Sequence, residues 1–281
     1  MSNLIIMSKN RPMQLEACLR SLKTYFNEYQ VSKKAVIFKA TDKEYIDAYK
    51  IVIAEYQEVN FINETVYKKN VLDSIDQANK FTIFIMDDIL FKNNFSLNDK
   101  PFQIMVANGK ENVLSVSLRL HKGINYCYAT DKNSRIPTFS RDIINEASVW
   151  KYYGCDGDWG YGYSLDANVY FTDYITHLIQ KLDFYNPNTL EAVLNDKWHT
   201  VSDIKHPAYL ICYPDKAKMI NVPANRVQSV YLNRYENSYT EKELNDLFFK
   251  GNRISLDNTK DINTNSVHYP IKYEFIGKEK D

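Results

Sequence analysis

The eleven residues Phe81-Thr-Ile-Phe-Ile-Met-Asp87-Asp88-Ile-Leu-Phe91 constrain the fold more than any other stretch of this 281-residue chain. Six residues, mostly β-branched or aromatic, follow one another without polar alternation. They suit a strand covered on both faces, as in a parallel sheet with helices on either side. The run ends in two adjacent carboxylates, and then apolar residues resume. Burying a carboxylate is costly unless it is paired or coordinates a metal. In open α/β sheets, ligands gather beyond the carboxyl ends of the strands. Two acids at that place are where a hard divalent cation holding a diphosphate would be expected. Taken alone, Asp-Asp after a strand is equally well a turn, because Asp accepts hydrogen bonds from its own backbone two residues on.

The segments upstream fit the same sheet. Asn3–Ser8, Ala35–Phe38, Val59–Ile62 and Phe81–Met86 read as strands. Asn10 is placed to cap a helix with Pro12 in its first turn, and Leu15, Cys18, Leu19 and Leu22 follow at helical spacing. Lys43–Tyr56 and Tyr67–Ala78 read as further helices. This β-α-β-α-β-α-β order implies a parallel sheet with right-handed crossovers, a Rossmann-like half.

The remainder is less regular. Asn112–Leu120 reads as a strand carrying Arg119 near its end, whereas residues 121–162 have few periodic signals. A loop-rich span of that length inside a compact chain is usually functional or mobile. Asp166–Leu182 reads as a helix, and Asn188-Thr-Leu-Glu191 as an N-cap with a reciprocal acid three residues on. Tyr209–Tyr213 and Ala217–Val222 suggest two strands around Pro214-Asp215. Thr240-Glu-Lys-Glu243 is a capping box for a helix that stops before Gly251. A late strand is expected at His268–Phe275. No internal repeat or low-complexity linker divides the chain, so one domain over 1–281 is expected.

Composition removes several classes. Thirty-five basic residues balance thirty-five acidic ones, which gives no support for wholesale binding to nucleic acid or an anionic membrane. Cys18, Cys127, Cys155 and Cys212 lie far apart with no CxxC spacing, against a zinc site or a disulfide-stapled secreted domain. The N-terminal apolar run Leu4–Met7 is too short for a signal segment, and no stretch reaches the length of a transmembrane helix. A cytoplasmic protein is expected, with peripheral membrane association left open. Eight glycines include none arranged to cradle a phosphate, and no Walker loop, GxGxxG or Ser-His-Asp order is present. Twenty-two Tyr, 14 Phe and 3 Trp suit flat, half-polar ligands that need a stacking face and a hydrogen-bond donor together.

An N-terminal strand followed by Ser8-Lys-Asn10-Arg11-Pro12 and a helix, then Met86-Asp87-Asp88 some eighty residues on, resembles the GT-A fold of glycosyltransferases, and family-2-like bacterial enzymes in particular. Trp159-Gly-Tyr-Gly-Tyr-Ser-Leu-Asp166, Asn186-Pro-Asn-Thr-Leu-Glu191 and the segments Glu243–Asn245 and Gly251–Ile254 look like elements of the same group, in the same order. The resemblance implies a mostly parallel central sheet flanked by helices. It also implies a nucleotide-sugar-binding half over 1–120, and an acceptor-binding half with a C-terminal extension over 121–281. It further implies a donor that is a nucleotide sugar, a glycan or lipid-linked acceptor, a Mn²⁺ or Mg²⁺ ion, and a setting in bacterial surface polysaccharide synthesis.

The implied roles fall on particular residues. Ser8, Asn10 and Arg11 would border the nucleotide, and Asp42 would meet its base or ribose. Asp87 and Asp88 stand where the family carries Asp-x-Asp. The first acid of that motif is missing here, so Asp88 becomes the metal ligand and Asp87 a ribose contact or supporting partner. His268 would complete the metal shell, or is simply a structural histidine. Arg11 or Arg119 would meet the phosphates, unless each forms an ordinary salt bridge. Attack on an anomeric carbon with inversion needs a base. Asp166 is the first choice and Asp158 the second, with a helix cap and a glycine-flanked turn as their plainer readings. Trp159, Tyr161 and Tyr163 would stack on a sugar ring, or pack beneath a loop. A nucleotidyltransferase or phosphohydrolase using the same acids, and a non-catalytic carbohydrate-binding relative, are the alternatives.

Overall fold

The computed structural model describes residues 1–227, 234–236, 238–260 and 262–277. Its centre is a nine-stranded sheet. Strand β1 (Ser2–Lys9) lies between β2 (Lys33–Lys39) and β4 (Phe81–Met86), parallel to both, and β3 (Asn60–Asn63) pairs outside β2. The connections are helix α1 (Pro12–Tyr25) after β1, α2 (Lys43–Glu55) after β2 and α3 (Tyr67–Ser74) after β3. The continuous apolar runs expected for strands buried on both faces are present: Leu4, Ile5, Ile6, Ala35, Val36, Phe84 and Ile85 are all fully buried. The turn of direction in strand order falls at β1 and β4, where ligands of such sheets collect.

Beyond β4 the chain doubles back into β5 (Ile89–Phe91), runs through helix α4 (Lys100–Asn108) and enters β6 (Val113–Ser117). The second half then completes the same sheet. Strand Asn168–Phe171 inserts antiparallel between β4 and β6, and Tyr209–Cys212 pairs parallel to β6 on the far side. A hairpin of Arg141–Ile143 and Ala147–Lys151 closes that edge. Only Asn168–Phe171 and Ala147–Lys151 run against the other strands, so the sheet is mostly parallel and flanked by helices, as the resemblance implied.

Several local expectations are corrected. Asp166–Leu182 is not one helix. Asn168–Phe171 is a fully buried strand, and the helix begins at Thr172 and ends at Lys181. Asn10 does not cap α1; it takes a left-handed φ of 54° while its side chain accepts from the Thr41 N–H, and Arg11 occupies the cap position. The helix Pro187–Lys197 is capped by Asn186, whose box closes through Thr189, which leaves Glu191 outside the cap. Helix α3 stops at Ser74 rather than Ala78. His268 makes an isolated bridge with Asn221, and the late strand is Phe275–Gly277, paired with Asn252–Ile254.

Candidate functional site

The Asp pair sits where β4 ends. Asp87 is drawn toward β1: its N–H donates to the Met7 carbonyl at 3.1 Å, and its Oδ2 accepts from the Lys9 N–H at 3.2 Å. The Arg11 guanidinium, one residue before α1, then bridges both acids, with Nη1 at 3.0 Å from Asp87 Oδ1 and 3.0 Å from Asp88 Oδ2. The other edge of that guanidinium faces Asn225, donating from Nε to Oδ1 at 2.8 Å and from Nη2 to the carbonyl at 2.5 Å. Burial works against the Arg11 charge, but the two carboxylates more than offset it, so its pKa lies above the ordinary value. Asp87, only 2 % exposed, is pushed up to about 6 by burial, with Arg11 opposing and Asp88 adding to the shift.

Asp88 points the other way. Its Oδ1 accepts from Asn221 Nδ2 at 2.9 Å, and its side chain keeps 17 % exposure. Strand β5, immediately after Asp88, pairs with Met219–Asn221, which is why Asn221 lies in register with the acid. The same Asn221 amide reaches Asp166 Oδ1 at 3.4 Å, and Asp166 Oδ2 lies 3.5 Å from His268 Nε2. Ala167, at an unusual positive φ of 56°, turns the chain from Asp166 into its strand, with its N–H held by the Phe84 carbonyl at 2.9 Å. Burial raises the Asp166 pKa; His268 opposes this and the Asp88 charge adds to it.

These groups open onto a cleft of about 400 Å³ along the carboxyl ends of β1, β2 and β4. Of the residues named from sequence, it gathers Ser8, Arg11, Asp87, Asp88, Asp166 and His268. Ser8 Oγ is hydrogen-bonded to Tyr49 Oη at 2.6 Å. The others named from sequence lie outside the lining, and Asn10 among them has its side chain turned to Thr41, donating Nδ2–H to the hydroxyl at 2.8 Å and accepting from the N–H at 3.0 Å. Asp42 is the exposed N-cap of α2, accepting from the Glu44 and Tyr45 N–H groups. Arg119 and Asp158 form a buried pair, Nη1 to Oδ1 at 2.7 Å, with Arg119 2 % exposed; a phosphate has no route to one or a substrate proton to the other. Trp159 is completely buried, edge-on to Trp150 and donating Nε1–H to the Ile124 carbonyl at 2.9 Å. Tyr163 is also buried, with its hydroxyl against that of Tyr174. Neither offers a ring face to a sugar, which corrects the stacking platform. Tyr161 is partly exposed and holds Arg119 through its carbonyl at 3.4 Å.

Sequence reasoning gave no site role to several cleft residues, among them Asn221, Asn225, Glu191 and Tyr185. Glu191, read as a capping partner, lines the cleft from the helix Pro187–Lys197, and its Oε1 accepts from the Leu165 N–H at 2.9 Å. Burial pushes its pKa up to about 7; the Asp166 charge adds to the shift, and the Leu165 N–H, Arg119 and His268 oppose it. Pro187 at the first helical position was the available signal, since proline favours that place, and it moves the cap to Asn186. Tyr185, 73 % exposed, is an aromatic ring that the cleft presents to solvent.

The chemistry of the donor set narrows the metal reading. Among the described residues no three His, Cys, Asp or Glu side chains are grouped so as to hold a metal ion. Both oxygens of Asp87 are engaged by Arg11 and the Lys9 N–H, and His268 Nε2 faces Asp166 while its buried Nδ1 has no partner. Asp88, on the cleft wall with lone pairs beyond its two hydrogen bonds, is the residue that fits. One carboxylate is a workable protein contribution where substrate phosphates and water supply the other ligands.

No family profile matches the sequence. The chain is similar to the bifunctional glycosyltransferase pgtA of Dictyostelium discoideum, 28% identical over 300 residues, which takes in 94% of this chain and 38% of that protein. The chain thus spans well under half the length of this relative. Among solved structures, S. aureus TarS overlays with a TM-score of 0.47 at 13% identity, over 79% of this chain and 37% of that one. TarS 1-349 in complex with UDP overlays at 0.46 and 15% identity, over 77% and 59% of the two chains. A cytidylyltransferase from Leptospira borgpetersenii overlays at 0.43 and 11% identity, over 89% and 94%. By sequence the chain resembles a glycosyltransferase, and its own strand order is the helix-flanked, mostly parallel sheet expected of a GT-A-like member of that class.

Proposed function

We propose that the protein is a glycosyltransferase that moves a sugar from a nucleotide donor to a hydroxyl acceptor, a glycan or lipid-linked sugar. The observation that carries this reading is the division of acids within one cleft. Asp88 stands at the end of β4, and Asp166 and Glu191 come from the segments that follow in the second half. A displacement at an anomeric carbon needs these two functions apart, one beside the departing diphosphate and one beside the attacking hydroxyl. Likeness to a glycosyltransferase over 94% of the chain supports the same reading.

In this scheme the nucleotide lies along the ends of β1 and β2, beside Ser8, Lys9, Ile37 and Lys39, and the diphosphate reaches Asp88. A Mg²⁺ or Mn²⁺ ion entering with the diphosphate would be held by Asp88 and would stabilise the negative charge that grows on the leaving group. Arg11 opposes the upward push of burial on the Asp87 pKa and fixes the pair's geometry, while Asn221 holds Asp88 and Asp166 in one arrangement. No helix among the described residues is long and apolar enough to cross a membrane, and the four cysteines are unpaired, which suits a reducing compartment. Work at the cytoplasmic face on surface-polysaccharide intermediates fits these features.

Thermal denaturation with uridine, guanosine, cytidine and thymidine diphosphosugars, with and without Mn²⁺, tests the reading. One donor at a hundred times its dissociation constant should add about 2.7 kcal/mol of stability, and Asp88→Asn should abolish the Mn²⁺-dependent part. No shift with any donor would sink it.

A further inference from the structure

We infer that Glu191 is the base that takes the acceptor proton, and that Asp166 belongs instead to the donor side of the cleft. The inference rests on the transferase reading above and assigns a role within it. Four observations separate the two carboxylates.

Asp166 is tied to Asp88 through the shared Asn221 amide and lies 3.5 Å from His268 Nε2. Its two oxygens are thus turned toward groups that organise the donor end. Glu191 comes from a different element, the second turn of helix Pro187–Lys197, and among the described residues it enters no ion pair. Its Oε1 is positioned by the Leu165 N–H at 2.9 Å, a contact that orients the carboxylate without neutralising it. The segment leading into that helix, Tyr185 to Asn188, lines the same cleft, and Tyr185 supplies an exposed ring beside which an acceptor sugar can lie.

The groups that face Glu191 from the surrounding elements are Asp166, His268, Arg119, Tyr161, Tyr67 and Tyr170. Burial first, and the Asp166 charge next, raise its pKa to about 7, where a base can both be ionised and accept a proton well. The step balances simply. The acceptor oxygen forms its bond to the anomeric carbon as the bond from that carbon to the diphosphate oxygen breaks. The bonding pair leaves on the diphosphate, and the acceptor proton passes to the ionised Glu191. Direct displacement inverts the anomeric configuration.

Glu191→Gln tests this, because the amide oxygen can still accept from Leu165 while the base is lost. The probe is release of nucleoside diphosphate from the sugar donor that shifts the melting point, with water and then free monosaccharides as acceptors. The wild type should show kcat rising with pH through a limb near 7. Glu191→Gln should lose roughly 10²–10⁴-fold in kcat, with the donor-induced melting shift and donor KM held within twofold and the limb gone. Glu191→Asp should recover part of the rate. Asp166→Asn should mainly weaken the donor-induced shift. A Glu191→Gln enzyme that keeps a tenth or more of wild-type kcat with its pH limb intact overturns the inference, as does a product of retained configuration. Absence of any donor-induced shift in the wild type is a different failure, of the transferase reading itself.

Discussion

Arg11 and Arg119 are built from the same parts and do opposite things. Each is a buried guanidinium beside an aspartate, and the sequence offers no way to tell them apart. Arg119 meets Asp158 behind the cleft, hydrogen-bonded to that one acid and to the Asp158 and Tyr161 carbonyls, with the Asp166 and Glu191 charges felt at longer range. Arg11 meets two acids at the end of β4, and one of them keeps a face toward the cleft. The sealed pair ties residues 154–161 to the segment that follows β6, and its first effect is on stability. The open cluster leaves a carboxylate with capacity to spare, and spare capacity is what a ligand uses.

The largest expected effect is on the sealed pair. Arg119→Met strands the Asp158 charge away from water, and breaking a buried pair from one side costs roughly 3–5 kcal/mol. Urea denaturation should show that loss; a stable variant with impaired donor binding would place Arg119 on the ligand side after all.

The open cluster should instead respond to pH. The folded-state pKa of Asp87, about 6, lies above its ordinary value of 3.8, so the native state binds the proton more tightly than the unfolded chain. The associated stability is complete below the ordinary value and is lost as pH rises through about 6. Relative to Asp87→Asn, the wild type should therefore lose stability on the order of 3 kcal/mol between pH 4 and pH 7, from two units at 1.36 kcal/mol each. Paired denaturation curves that stay parallel across that range would remove the open cluster's distinguishing property.

The smallest effect lies outside both clusters. Asp42→Ala removes a helix cap and should cost about 1 kcal/mol, with the donor-induced melting shift unchanged. A weakened donor shift would extend the cleft to the start of α2.

The sheet's first four strands were legible because they are continuous apolar runs separated by helical periodicity, and a parallel order followed from them. Asn168–Phe171 was not. A four-residue strand that passes into a helix without a break, all its residues buried, carries the same apolar signal as a longer helix. Asp87 and Asp88 stood out as acids inside an apolar run, yet what each one faces depends on Arg11, Asn221 and Asn225, which no local pattern links to them. Trp159 misled for a related reason. Aromatics among glycines suggest an exposed platform, and here they are the filling between the hairpin and the loop, stacked edge-on against Trp150 and Phe139.

The pairing of β5 with Met219–Asn221 has a consequence for how the molecule comes into being. Asp88 gains Asn221, and Arg11 gains Asn225, only when segments more than two hundred residues beyond α1's first turn have returned to it. Closing so large a loop costs entropy that grows only logarithmically with its length, but it cannot happen before those residues leave the ribosome. A nascent chain can therefore lay down β1 to β4 well before the cleft's polar frame is finished.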